Sequence, residues 1–216
     1  GLNFLGMNVT KPPFDNKLVR QALNFAVDRE SIVKLVLNGR AQSANGVLTP
    51  GIPGHDPLLS GYFYDLTRAK KLLAEAGYPD GKGFPIITLE INEDQLQGRV
   101  ADFIVANLRD LGIECRLSVI NFEKHLENIE KGEVPFFRLG WTIDYPDPDG
   151  LLYTMFHSSN IENGYNYCRY SNPEVDKLLN EARNETELVV RVPLYEKAEK
   201  LIVDDAPMVF MYFYTL

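Results

Sequence analysis

The 216-residue sequence is poor in positive charge and in long apolar runs. It carries 22 Lys and Arg against 30 Asp and Glu, which gives a formal net charge of −8. A nucleic-acid partner would require a basic face that displaces counterions from phosphates, so this balance argues against one. The longest apolar run, residues 208–214, is far shorter than the roughly 20 residues that cross a bilayer. Neither a nucleic-acid-binding protein nor a membrane-spanning helix is therefore expected.

Cysteine is scarce, and the two present do not form a CxxC pair. Cys115 and Cys168 lie far apart in the sequence. One disulfide and two free thiols are both compatible with this spacing, so the redox compartment stays open.

Catalytic and cofactor-binding motifs are also missing. The sequence has no GxSxG, and its single Gly-Lys-Gly, residues 81–83, precedes a predicted strand, whereas a phosphate-binding turn follows one. No HxH or HxxxH pair joins any of the three histidines, His55, His125 and His157. We therefore expect no catalytic residue, no metal site and no cofactor.

The composition and the hydrophobic periodicity indicate a packed α/β protein. Hydrophobic residues make up 45% of the chain and charged residues 24%, enough for a core. Residues 86–91 and 114–120 read as strands, and residues 95–111 between them read as a helix, so they predict a right-handed parallel βαβ unit. Strands alternate with helices elsewhere, which predicts a mixed sheet flanked by helices. Residues 41–63 are rich in Gly and Pro and predict a long irregular segment.

Both ends of the sequence have strand character. Residues 1–8 roughly alternate between apolar and polar, and residues 207–216 are mostly apolar. Domains rarely stop inside an apolar strand, which suggests a piece of a longer protein, cut where two strands pass to a neighbouring domain. A complete protein with both strands docked in its own sheet is the alternative.

An acidic cluster after a predicted strand is the most informative site candidate. A calcium loop does not fit Asp144, Asp147 and Asp149, because its first and last ligand positions would fall on Tyr145 and Phe156. Two carboxylates are also compatible with a glycosidase pair, but the Pro and Gly around Asp147 and Asp149 favour turn chemistry for both. Asp144 differs because aromatic residues flank it. It could bind a cation or cap a turn, and residue types alone leave both open.

Four segments resemble one known family. Residues 138–148, RLGWTIDYPDP, resemble the signature G-W-x-x-D-Y-x-[DE]-P of the peptide-binding proteins of ABC importers, bacterial extracellular solute-binding family 5. Residues 13–29, 65–78 and 170–179 are similar to three further motifs of that family, in the family's order.

The resemblance implies a periplasmic-binding-protein type II fold, in which two lobes close on a ligand like a hinge. Residues 1–216 would then be a single lobe, the second or C-terminal type, without the first. The implied partners are a peptide or another small polar solute and the membrane permease subunits of an ABC importer. The resemblance implies a periplasmic protein, or a lipoprotein anchored on the outer face of the cell membrane, that is not an enzyme. The piece itself is expected to be monomeric.

The resemblance also assigns ligand-binding roles. It implies that Asp144 pairs with the ligand's ammonium group, that Trp141 forms an aromatic wall, and that Thr142 and Tyr145 line the pocket. Arg138 would lie near the ligand's carboxylate or backbone, although strand alternation puts it on the opposite face from Trp141. An oligosaccharide, an opine or a metal chelate is the alternative ligand, and a hydrolase using Asp144 with Asp147 or Asp149 is the alternative class.

Overall fold

Strands from the two ends of the sequence pair with each other near the middle of a six-stranded sheet. The computed structural model of the protein describes residues 1–214, and the strand order is β2-β6-β1-β5-β3-β4. Parallel pairing joins β3 to β4 and to β5, whereas β1 is antiparallel to β5 and β6, and β2 is antiparallel to β6. The predicted mixed sheet is confirmed. The strands are β1 Leu2–Met7, β2 Ala41–Ser43, β3 Ile87–Asn92, β4 Cys115–Ile120, β5 Phe136–Trp141 and β6 Met208–Tyr214. Residues 215 and 216 of the predicted last strand lie outside the described residues.

Helices cover both faces of this sheet. They are α1 Lys17–Ala26, α2 Arg29–Ser31, α3 Leu66–Glu75, α4 Gln95–Asp110, α5 Phe122–Glu130, α6 Asp149–Phe156, α7 Pro173–Asn184 and α8 Leu188–Asp205. Four of these helices are capped by side chains that accept hydrogen bonds from backbone N–H groups of the first turn: Asn16, Asp28, Asp65 and Asn172. In the part of the chain that the structure describes, no helix is both long and apolar enough to cross a membrane.

One sequence-based prediction was wrong in detail. The segment 41–63 is not irregular throughout, because Ala41–Ser43 pairs with β6 as an edge strand.

The last helix begins at Leu188 and contains Pro193 in its second turn. The hydrogen bond that Pro193 cannot donate would have gone to the carbonyl of Val189. Val189 is 81% exposed, so water can donate to that carbonyl instead.

Two hydrophobic cores lie on opposite faces of the sheet. The first core packs α1, α3 and α4 against side chains such as Leu5 and Met7 of β1. The second core packs α6, α7 and α8 against Leu2 and Phe4 of the same strand. Because both faces are covered, β6 can be apolar at nearly every position, which explains why its sequence shows no alternation. Cys115 belongs to the first core and Cys168 to the second, and both are free thiols.

A β-bulge interrupts the pairing of β1 with β6. Asn3 lies opposite Tyr212 and Phe4 lies opposite Phe210, so Met211 is the extra residue. Met211 and Tyr212 consequently both face the first core, although they are consecutive. The bulge therefore turns the Tyr212 phenol onto the face of the sheet that also carries Asn3.

One edge of the sheet gathers several strand ends. There β3, β4, β5 and β6 end and β1 begins, as their parallel and antiparallel pairings require. Helices α4 and α5 also start there, capped by Asp94 and Asn121. Ligands of α/β proteins bind outside the carboxyl ends of the strands. We call this edge the site edge.

Candidate functional site

A cavity of about 320 Å³ opens at the site edge. Three of the five predicted site residues line it: Arg138, Trp141 and Thr142. The remaining lining comes from the ends of neighbouring strands and from the first turns of α4 and α5: Gly1, Asn3, Asn92, Gln97, Phe122, Leu139, Gly140 and Tyr214. A larger cavity of about 480 Å³ lies between α1, α3 and α8, but no predicted site residue lines it.

Arg138 brings a buried positive charge to this cavity. Its side chain is 3% exposed, and Nη2 donates to Asn3 Oδ1 at 3.0 Å and to the Tyr212 hydroxyl. Burial raises the pKa of Tyr212 to about 12, so the phenol is neutral at ordinary pH and supplies no negative charge to Arg138. Within residues 1–214 no carboxylate pairs with Arg138, and its Nε has no hydrogen-bond partner. A buried guanidinium without a carboxylate favours an anionic or carbonyl group in the cavity.

A buried histidine supports the backbone of β5 beneath this arginine. His125, fully buried, lies 2.9 Å from the Arg138 carbonyl through Nε2, which must carry a proton because a carbonyl only accepts. Its Nδ1 lies 2.9 Å from Glu90 Oε1, and Asn128 donates to the other Glu90 oxygen at 3.3 Å. Sequence reasoning treated His125 as isolated. The charged Glu90 between the apolar Leu89 and Ile91 of β3 is the sequence signal that a partner exists.

Trp141 is the last residue of β5, and its side chain lies on the opposite face of the sheet from that of Arg138. Its indole N–H donates to the Gly150 carbonyl at 3.1 Å, and its ring centroid lies 4.8 Å from that of Tyr165. Trp141 packs against the second core, as the predicted alternation requires. Both residues nevertheless reach the same cavity, because the cavity lies across the end of the strand and touches both of its faces.

Asp144 and Tyr145 lie beyond the strand and outside the cavity lining. Both belong to residues 142–148, which we call the site loop, and both are exposed, Tyr145 by 59%. Within the described chain, the Asp144 carboxylate makes no hydrogen bond and no ion pair. The structure thus leaves Asp144 available to an outside cation but does not bring it into contact with Arg138 or Trp141.

Asp147 and Asp149 are bound to helices behind the site loop. Asp147 accepts from the Asp149 amide at 2.9 Å, which is the predicted turn chemistry. It also accepts from Arg191 Nη1 at 2.7 Å and Nη2 at 2.9 Å. Asp149 lies 3.1 Å from Arg183 Nε. Sequence reasoning missed both arginines, because nothing local marks a partner some 40 residues away. Carboxylates already paired in this way are poor candidates for acid–base catalysis.

Comparisons with known proteins agree with these observations. Residues 1–163 match the family described as bacterial extracellular solute-binding proteins, family 5 Middle. The chain is 37% identical to heme-binding protein A of Haemophilus influenzae over 97% of this chain and 39% of that protein. It is 32% identical to the dipeptide-binding protein of Escherichia coli over 96% of this chain and 39% of that protein.

Solved structures give the same result. The periplasmic binding protein DppA of Helicobacter pylori, in complex with the peptide STSA, superposes with a TM-score of 0.91 at 32% identity over 98% of this chain and 41% of that one. HbpA2 of Haemophilus parasuis superposes with a TM-score of 0.89 at 30% identity over 99% of this chain and 42% of that one. The chain therefore spans about 40% of the length of the relatives it matches.

Proposed function

The chain belongs to the family 5 bacterial extracellular solute-binding proteins, and on this premise we propose that it is the second, ligand-binding lobe of a longer peptide-binding protein of an ABC importer. The observation that carries the proposal is a pair of opposite charges, Arg138 and Asp144, for which residues 1–214 supply no partner of opposite charge. Arg138 is a buried cation at the cavity, and Asp144 is a free carboxylate on the site loop. A peptide presents the complementary pair, an ammonium group and a carboxylate.

Each predicted site residue has a proposed role. Asp144 pairs with the ammonium group, and Arg138 binds the carboxylate or a backbone carbonyl of the peptide. Trp141 and Tyr145 form apolar walls that exclude water and strengthen these charge pairs, while Thr142 lines the cavity. The exposure of Asp144 and Tyr145 in this lobe supports closure by a second lobe, because a charge pair gains most when water is removed from it.

The longer protein would carry the rest of the function. We propose that two lobes close on the ligand and that the closed form hands it to the permease subunits. The protein would act in the periplasm, or as a lipoprotein on the outer face of the cell membrane, and would transform no substrate. The family is one of extracellular solute-binding proteins, which supports this proposal. This piece is proposed to be monomeric by itself.

Heme is the second candidate ligand, because the Haemophilus influenzae relative is named for it. Arg138 would serve a propionate as well as a peptide carboxylate. Asp144 favours the peptide, because heme has no amine. A ligand that co-purifies with the longer protein, identified by native mass spectrometry, would distinguish a peptide from heme, an oligosaccharide, an opine or a metal chelate.

Calorimetry on the longer protein tests the peptide role. Asp144→Ala should weaken binding of a dipeptide by roughly 2–5 kcal/mol, because it removes one partner of a desolvated charge pair. The same peptide with an acetylated amino terminus should bind the unaltered protein as weakly. Asp102→Ala, which removes an exposed carboxylate of α4, is the matched control. Unchanged affinity in Asp144→Ala would rule out the ammonium role.

The 216-residue chain alone should show no measurable peptide affinity. It offers one wall of the proposed cleft, so closure cannot remove water from the ligand. Tight binding by this chain alone would contradict the two-lobe mechanism.

A further inference from the structure

One arginine holds the site loop from behind. Arg191, in the first turns of α8, donates two parallel hydrogen bonds to the Asp147 carboxylate, at 2.7 and 2.9 Å. Its Nε donates to the Ala182 carbonyl at the end of α7 at 3.2 Å, and Nη2 also donates to the Tyr195 hydroxyl at 3.1 Å. The guanidinium is thus bonded to three elements at once. A planar fork of this kind fixes the orientation of a carboxylate as well as its distance.

The side chains around the Arg191 guanidinium are packed or hydrogen-bonded in turn. Tyr195 is fully buried in the second core, and its hydroxyl donates to Asp149 at 3.3 Å as well as accepting from Arg191. Arg183 contacts Asp149 and lies 3.9 Å above the Tyr153 ring. Asp147 is therefore attached to α8 through the half-buried Arg191, and Asp149, which follows the site loop, is attached to α7 through the more exposed Arg183 and to α8 through Tyr195.

The rest of the site loop has few attachments of its own. Between Thr142 and Pro146, no side chain within the described residues makes a hydrogen bond or an ion pair, and Ile143 alone packs on the second core. The Asp147 amide donates to the Tyr145 carbonyl at 2.9 Å, so the position of Asp147 limits the backbone of Tyr145. The fork attaches the site loop to α8, in addition to the turn hydrogen bonds that the Asp149 and Gly150 amides donate to Asp147.

We propose that Arg191 is a positioning residue for ligand binding. Through Asp147 it holds Asp144 and Tyr145 in the arrangement that meets the ligand, although it touches no ligand atom itself. The inference rests on the proposed function, because it takes Asp144 and Tyr145 to be ligand contacts. Where only a fraction of molecules is competent to bind, the apparent affinity falls by that fraction. Loss of the fork should therefore lower affinity through the population of the competent loop.

The first test needs no ligand and uses the 216-residue chain. Arg191→Ala should raise hydrogen exchange of the Asp147 amide, which donates to the Tyr145 carbonyl, and leave exchange in β1 and β5 unchanged. Trp141 is the only tryptophan of the sequence and lies next to the site loop, so its quenching by acrylamide should rise as well. The control is Arg116→Ala, which breaks an exposed arginine–carboxylate pair away from the site loop: Arg116, on β4, donates to one oxygen of Glu114 at 2.9 and 3.1 Å. Unchanged exchange in the site loop would overturn the inference.

The second test uses the longer protein and a dipeptide. Arg191→Ala should weaken binding by roughly tenfold or more, Arg191→Lys should be intermediate because an ammonium cannot form the fork, and Arg116→Ala should have no effect. The exchanged pair Asp147→Arg with Arg191→Asp should recover part of the affinity. A looser site loop with unchanged affinity would overturn the positioning role. Absence of peptide binding by the unaltered protein would instead refute the proposed function. The hydrogen-exchange measurement on the 216-residue chain would still decide whether Arg191 holds the site loop.

Discussion

The imidazole of His125 and the carboxyl group of Glu90 lie 2.9 Å apart inside the protein and join α5 to β3. The other imidazole nitrogen bonds to the backbone of Arg138. The buried charge of Arg138 is therefore supported by a polar network whose centre, His125, is fully buried. The position of Arg138 at the cavity thus depends on His125 and Glu90, which do not line the cavity themselves.

Removing His125 should be costly. His125→Ala leaves the buried Glu90 carboxyl group and the Arg138 carbonyl without their partner, and we expect the free energy of unfolding to fall by roughly 3–5 kcal/mol. Urea denaturation of His125→Ala, Glu90→Ala and the double variant measures the coupling. The double variant should lose less than the sum of the single losses. Additive losses would show that the two side chains do not interact.

Two glycines should respond to alanine with opposite signs. A Cβ at Gly6 would lie 2.2 Å from the Phe137 ring, so Gly6→Ala should destabilise the protein by roughly 1–3 kcal/mol through overpacking. A Cβ at Gly98, inside α4, would meet no atom within 4 Å, so Gly98→Ala should stabilise it by about 1 kcal/mol through helix propensity. Thermal denaturation of both variants checks this. If both variants shifted the melting temperature equally and in the same direction, the close packing of Phe137 on Gly6 would be contradicted.

Glu199 should make stability depend on pH. Burial raises the pKa of Glu199 to about 7, although the amides of Leu48 and Val47 donate to its carboxylate. The unfolded chain releases this proton near the ordinary pKa of 4.5, whereas the folded chain keeps it until about 7. The contribution of Glu199 to the free energy of unfolding is therefore fully present below about pH 4.5 and is lost as the pH rises to about 7. Its magnitude is on the order of 3 kcal/mol.

Glu199→Gln should remove that part of the pH dependence. The amide oxygen of glutamine can still accept from the Leu48 and Val47 amides, but it does not titrate. Urea unfolding of both proteins at about pH 5 and about pH 8 measures the effect, and the unaltered protein should lose more stability than the variant. Parallel curves would show that Glu199 ionises normally.

Arg138 should distinguish peptides by their carboxyl terminus. In the longer protein, Arg138→Met should weaken binding of a peptide with a free carboxylate by roughly 1.5–3 kcal/mol. The amidated form of the same peptide should bind the variant and the unaltered protein equally. Calorimetry with the two peptides gives the difference directly. Tyr212→Phe, which keeps the guanidinium, is the control. Equal losses for both peptides would mean that Arg138 does not face the carboxylate.

Local patterns predicted much of the fold. The parallel βαβ unit over residues 86–120 follows from short-range rules, because the apolar spacing that identifies each of its three segments depends on residues within a few positions of one another. The family signature likewise brought Arg138 and Trp141 into the candidate site, and both line the cavity.

Long-range pairing could not be predicted in the same way. Arg191 meets Asp147 and His125 meets Glu90 only after the helices pack on the sheet, and neither pair has a spacing that marks it. The bulge at Met211 is a second case. Without it, regular alternation would have turned Tyr212 away from Asn3 and Arg138, and no residue type in β6 signals the extra position.

The pairing of β1 with β6 has a mechanical consequence. Gly1 and Tyr214 are neighbours at the site edge, where the Tyr214 amide donates to the Gly1 carbonyl at 3.2 Å. Polypeptide that continued through both positions would be tethered at two points about 5 Å apart, one strand spacing. Two adjacent tethers resist sliding and torsion but leave free rotation about the line that joins them. Bending on that axis would be the softest motion available, and it would carry whatever lies beyond the edge toward or away from the cavity as one piece.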